Sequence, residues 1–366
     1  MYARGGTQAG TEREREEERL RDACTRSLHY GRRTPSDLLG ELPDGIAPDR
    51  YGHGGVVAEL EAEVASLLGK PAAVFLPSGT MGQQIALRIH SDRRGRRTVV
   101  FHPACHVDRN EGKGYERLHG LIGRPVGNEH RLLSLDDLLG VAEPPAALLL
   151  ELPQRDIGGQ LPAWDELVAQ VGWARERGAA VHMDGARLWG CSPFYGLTLT
   201  EIAGPFDTVY VSFYKQLRGL AGCCVAGPDD VMAEVREWRT RHGGTLFALW
   251  PYAASALAGL HTRLPRMGSY WEQALAIASA VRGLPGVEVV PDPPQTPMMH
   301  LLLHADPERL HASALELAER EGIWTWARSQ PTASPRIQEV ELEVGDDTLE
   351  FDPQEVRDVL ERLVRG

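Results

Sequence analysis

The chain has 366 residues, 42% of them hydrophobic and 25% charged, a globular composition long enough for one large core and a second, smaller one. Its formal net charge of −12 argues against a general electrostatic role on nucleic acid or an anionic membrane, since either surface would repel most of it. No apolar run approaches the roughly 20 residues that span a bilayer, and the charged N-terminus lacks the apolar core of a secretory signal, so neither export nor insertion is expected.

The stretch to about residue 28 opens with glycines and continues into TEREREEERLRDA, whose mixed charges suit a solvated helix or a disordered tail. From about Gly54 the pattern alternates. VVAELEAEVASLLG has helical apolar spacing, AAVFLP is a short apolar run, PSGT is a polar turn, and MGQQIALRIHS is again helical. RTVVF, AALLLEL, AAVHMD and TVYVSF read as further strands, with WDELVAQVGWARERG as a helix between two of them. Short apolar strands separated by helices predict an α/β layer with a mostly parallel central sheet covered on both faces.

Beyond about Pro228 come a long helical pattern from Asp230 through His261 and then MHLLLH, IQEVELEV and PQEVRDVLERLV, which predict a smaller α+β C-terminal domain. The expected division is a charged extension over 1–28, a large ligand-binding domain over 29–240 and a small domain over 241–366. Cys24, Cys105, Cys191, Cys223 and Cys224 are odd in number and lack CxxC spacing, which points to packing and to a reducing, cytoplasmic setting.

In such a sheet, ligands bind beyond the carboxyl ends of the strands, where the sequence places PSGT, Asp184 and Lys215. Lys215 follows a strand that should be buried. A lysine there either reaches solvent or avoids the cost of burying its charge by forming an imine with an aldehyde cofactor. Asp184 either caps the turn before Gly185 or keeps a pyridinium nitrogen protonated. Ser78, Gly79 and Thr80, between a strand and a helix, form either an ordinary helix cap or a phosphate cup. Arg187 can clamp a carboxylate or neutralise a phosphate. His106, in PACHVDRNEGKG, is either a loop histidine or a ring that stacks on a cofactor and moves protons. The thirteen His show no HxH or HExxH spacing, so no metal site is predicted, and the lack of a GxGxxG after a strand argues against a dinucleotide.

FLPSGTMGQQIAL, VHMDGARLWG and FDTVYVSFYKQLRGLAG occur in an order that resembles the threonine aldolase and β-eliminating lyase family, pyridoxal 5'-phosphate (PLP) enzymes with the aspartate-aminotransferase-type fold, fold type I. The resemblance covers roughly Tyr51 to Val225, with a weaker match beyond. It implies Lys215 as the Schiff-base lysine, Asp184 at the pyridinium nitrogen and His106 against the ring. It places Gly79 and Thr80, with Ser78 and Ser212, at the phosphate, and Arg187 at the substrate carboxylate with Arg336 as a second carboxylate-binding arginine. Tyr51 and Gly52 resemble a segment that reaches a neighbouring subunit's site, which implies a homodimer or homotetramer.

Two stretches depart from the family pattern. GRRTPSDLL stands where an SDTVT-like segment is usual, and ELPQRDIGG replaces an ENTHN-like stretch, so that Gln154 stands at a histidine. The implied activity is retro-aldol cleavage of a β-hydroxy-α-amino acid to glycine and an aldehyde. The alternatives are β-elimination, racemisation or biosynthetic aldol condensation on the same cofactor, and a non-catalytic protein that keeps the scaffold.

Overall fold

The computed structural model describes residues 8–29, 33–326 and 329–365; Gly31 and Arg32 of the GRRTPSDLL stretch lie outside them. The chain divides into two compact units, Met1–Thr34 with Gly268–Gly366, and Pro35–Met267. Helix α1 (Gln8–Ala23) opens the described chain.

The larger unit is built on a seven-stranded sheet. Its strands are β1 (Ala72–Leu76), β2 (Thr98–Phe101), β3 (Ile122–Pro125), β4 (Ala147–Glu151), β5 (Ala180–Gly185), β6 (Thr208–Ser212) and β7 (Cys223–Gly227), in the order β1-β7-β6-β5-β4-β2-β3. Strand β7 runs antiparallel to both its neighbours, and the pairings from β6 to β3 are all parallel. Strands β5, β6 and β7 are buried along their whole length, as continuous apolar runs covered on both faces should be.

Helix α2 (Gly55–Leu68) buries Val57, Leu60, Val64 and Leu68, the helical spacing read from the sequence. Helix α3 (Gly79–Arg94) follows β1 directly and packs Ile85, Ala86 and Ile89 into one cluster with Tyr210, Cys223 and Val225. The short helices α4 (His106–Arg109) and α5 (Gly114–Arg117) follow β2, and α6 (Trp164–Glu176) leads into β5. The parallel connections therefore bring the C-terminal ends of β4, β5 and β6 side by side at one edge of the layer.

The long helical pattern expected from Asp230 to His261 is two helices, α7 (Asp229–Arg241) and α8 (Trp250–Arg263). The break falls at Gly243, whose φ is +72°, and at Gly244, where a Cβ would collide with Met81. Helix α8 packs against α2 within the larger unit, which moves the unit boundary from 240 to Met267. The N-terminal stretch is not a separate extension either: α1 packs on α10 (Pro307–Glu321). Besides α1, α9 (Met267–Val281) and α10, the smaller unit contains α11 (Pro353–Arg365) and an antiparallel sheet of order β10-β11-β9-β8, built from β8 (Val287–Val290), β9 (Met298–His304), β10 (Gln330–Pro331) and β11 (Ile337–Glu343). Among the described residues no helix is long and apolar enough to cross a membrane.

One buried carboxylate ties the loop before α2 to α8. Asp49 accepts hydrogen bonds from the backbone N–H groups of Gly52 (2.7 Å), Leu249 (2.8 Å) and Trp250 (2.7 Å). Asp49→Ala leaves these donors unpartnered, and a loss of about 3 kcal/mol is expected. A lower urea midpoint with an unchanged slope is the expected reading; a midpoint equal to wild type would show that the loop does not depend on this carboxylate.

Candidate active site

Lys215 lies in a tight turn after β6. Gly219 N–H donates to the Phe213 carbonyl (2.7 Å), Arg218 N–H donates to the Lys215 carbonyl (2.9 Å), and Arg218 holds a left-handed φ of +54°. A non-glycine residue in that conformation is strained. The turn half-buries Lys215 and sets its Nζ 5.8 Å from the ring centre of Tyr214. Its charge acts on His106 and on Cys223, opposing protonation of one and favouring ionisation of the other.

Asp184 stands on β5, 2% exposed. Its Oδ1 accepts the Ala186 N–H (3.1 Å), an Asx turn that aims the carboxylate beyond the strand end. In register beside it are Glu151 on β4 and Tyr210 on β6. Arg187, three residues on, is buried, and its carbonyl accepts from Cys191 Sγ. Ser212 closes β6, with its hydroxyl donating to the Ala186 carbonyl (2.9 Å).

His106 opens α4, and its Nδ1 is 3.3 Å from Glu111 Oε1. That carboxylate is the main influence holding the ring's pKa above its ordinary value; burial and Lys215 oppose it, and Asp184 assists. The Glu111 side chain is only 3% exposed, and its other oxygen, Oε2, is buried without a hydrogen-bond partner.

Ser78 precedes α3 in an extended conformation and does not cap the helix with its side chain, and the first turn carries no acidic residue. The first N–H groups of the helix, at Gly79 and Thr80, are thus left to an anion at the positive end of the helix dipole. Gly79 is required there, because a Cβ would collide with the Tyr210 hydroxyl.

The ELPQRDIGG stretch wraps around Glu151 at the end of β4. Its Oε1 accepts the Arg155 N–H (3.1 Å), and its Oε2 accepts Gln154 Nε2 (3.2 Å) and lies 3.4 Å from the His106 N–H. Burial first and the Asp184 charge second hold this carboxyl above the usual carboxylate range. Gln154 is buried, with its N–H donating to the Gln160 carbonyl (2.9 Å).

The fold thus gathers Lys215, Asp184, His106 and the α3 N-terminus, together with Glu111, Glu151 and Tyr210, which sequence reading did not single out. Glu151 ends ALLLE without a distinct sequence signal; Glu111, five residues after His106, becomes apparent only when the chain folds back through α4. Tyr51 sits in a loop with φ +54°, 47% exposed, edge-on to Phe247 with ring centres 5.3 Å apart. Arg336 belongs to the smaller unit, exposed just before β11.

Comparison with known proteins gives a consistent result. The family model described as β-eliminating lyase matches residues 45–305. The low-specificity L-threonine aldolase 1 of Arabidopsis thaliana is 27% identical over 304 residues, covering 79% of this chain and 84% of that protein. A solved structure from Exiguobacterium sp. 255-15, provisionally named an aromatic amino acid β-eliminating lyase/threonine aldolase, superposes with a TM-score of 0.88 at 39% identity, covering 95% of this chain and 99% of the other. A Listeria monocytogenes structure, provisionally named an L-allo-threonine aldolase, gives 0.89 at 35% identity, covering 95% and 99%.

Proposed function

Because this chain belongs to the β-eliminating lyase family, we propose that it is a PLP-dependent aldehyde-lyase of fold type I that cleaves a β-hydroxy-α-amino acid into glycine and an aldehyde. The observation that carries this reading is that Asp184 lies near the end of one strand and Lys215 in the turn just beyond the adjacent parallel strand, in a layer whose helix α3 has no side-chain cap.

These residues fit the cofactor. Lys215 can hold its aldehyde as an imine, buried Asp184 can pair with a pyridinium nitrogen, and the helix N-terminus at Ser78, Gly79 and Thr80, with no side-chain cap or acidic residue, suits a phosphate. When bound, PLP supplies an electron sink for the charge left at Cα when the Cα–Cβ bond breaks. Asp184 keeps that sink effective by favouring the protonated ring nitrogen. Arg187 would bind the substrate carboxylate and so orient the bonds at Cα. Ser212 is a further candidate for the phosphate.

His106, with Glu111 behind its Nδ1, is the group suited to hold and move a proton over the site. Glu111→Gln removes the largest influence raising the His106 pKa. The ring then loses its proton at lower pH, and the limb of the pH–rate profile that belongs to His106 is expected to shift towards acid. A profile that stays in place would assign that limb to another group.

Gln154 favours a second reading. An amide cannot act as a base on a β-hydroxyl, so the same cofactor site could serve β-elimination. A panel of β-hydroxy and β-substituted amino acids decides between the two: release of glycine with an aldehyde supports aldol cleavage, and release of ammonia with a keto acid supports elimination. The reading also takes the protein as cytoplasmic and as a homodimer or homotetramer; the exposed apolar pair Tyr51 and Phe247, 47% and 64% exposed, supports the assembly alone.

A further inference from the structure

Glu151 and Asp184 are Cα partners on adjacent parallel strands, so their side chains point to the same face of the sheet. The charge of buried Asp184 raises the cost of ionising half-buried Glu151 beside it, and such a pair needs each carboxylate to be anchored. Asp184 is anchored by the Ala186 N–H (3.1 Å). Glu151 is anchored from two sides, by the Arg155 N–H and Gln154 Nε2 of its own loop and by the His106 N–H at the start of α4. These N–H donors oppose, without overcoming, the burial and the Asp184 charge that raise the carboxyl's pKa.

We propose that Glu151 is a positioning residue of the cofactor site: a second carboxylate beside Asp184 that strengthens the hold on the cationic form of the cofactor while fixing the backbone of His106. The inference rests on the PLP reading above. Glu151 acts through Asp184 and His106 and touches no reacting atom in this assignment.

The charged and titratable groups that face Glu151 are Asp184 from β5, Cys105 and His106 from the segment after β2, and Asp156 of its own loop; His102 lines the same small cavity. Burial and Asp184 oppose ionisation of Glu151, His106 and the Arg155 N–H favour it, and a cation brought in beside Asp184 adds to the favouring side. Loss of the Glu151 charge must therefore weaken retention of a proton on the bound cofactor.

The test compares wild type, Glu151→Gln and Glu151→Asp after reconstitution with PLP. A visible band that borohydride abolishes in wild type shows the Lys215-bound cofactor whatever Glu151 does; its absence would sink the cofactor reading and this inference with it. With the band present, it is titrated from about pH 6 to about pH 10. The midpoint is expected to fall by about one unit in Glu151→Gln and by less in Glu151→Asp, which keeps the charge but draws it back. An unchanged midpoint in Glu151→Gln, or in Glu151→Asp should the amide variant not fold, overturns the proposal.

Discussion

Lys215→Ala is expected to abolish the borohydride-sensitive visible band and to lower turnover by at least ~10⁴-fold, while the fold remains intact. The size of the effect follows from the roles that converge on one amine. In the proposed reading it would anchor the cofactor covalently and give up that bond to a substrate amine, and its positive charge acts on His106. Alanine supplies none of these. The fold should survive because the turn after β6 is held by backbone bonds, Gly219 N–H to the Phe213 carbonyl and Arg218 N–H to the Lys215 carbonyl, and because Trp189 Nε1 pins the strand end through the Ser212 carbonyl (2.8 Å). Circular dichroism and the urea midpoint should match wild type. Turnover within tenfold of wild type would show that the anchor lies elsewhere.

The layer architecture was legible because its strands are fully buried apolar runs, and such runs announce themselves whatever they pair with. The strand order and the antiparallel β7 were not, since pairing is decided by packing between distant segments. The break between α7 and α8 has a local reason: helical spacing continues across Gly243 and Gly244, but Gly243 takes a left-handed φ of +72° that ends the helix. The boundary at Met267 depends on α8 packing against α2, a contact that no composition shift marks.

The site divides along the same line. Lys215, Asp184 and the PSGT turn were readable because strand-terminal polar residues in an α/β layer share one edge. Glu111 was not, because its role depends on α4 returning it to His106. Glu151 lay in plain view at the end of a strand, but a terminal glutamate has no distinct sequence signal. Its importance appears only in register with Asp184, under the amide of Gln154.

Asp184→Asn is the sharper test of the electron-sink reading, because it removes charge and little else. The asparagine side chain has nearly the same shape, and its carbonyl oxygen can still accept the Ala186 N–H, so the Asx turn and the strand end should persist. What an amide cannot do is stabilise a protonated ring nitrogen in a buried setting, where an unpaired cation is costly. The variant should bind PLP and keep the borohydride-sensitive band, yet lose about 10³-fold in turnover, the order expected when a buried charge pair that serves the transition state is broken. The loss should fall on kcat more than on KM, since the proposed reading gives Asp184 the ring nitrogen and leaves the substrate carboxylate to Arg187. The neighbouring Glu151 would then be relieved of its closest like charge, the second-largest influence raising its pKa after burial, and should ionise at lower pH. The added charge on Glu151 compensates only in part, because it sits one strand further over. A variant with near-wild-type kcat would mean that the ring nitrogen is not held by β5, and the assignment of Asp184 would fail while that of Lys215 stood.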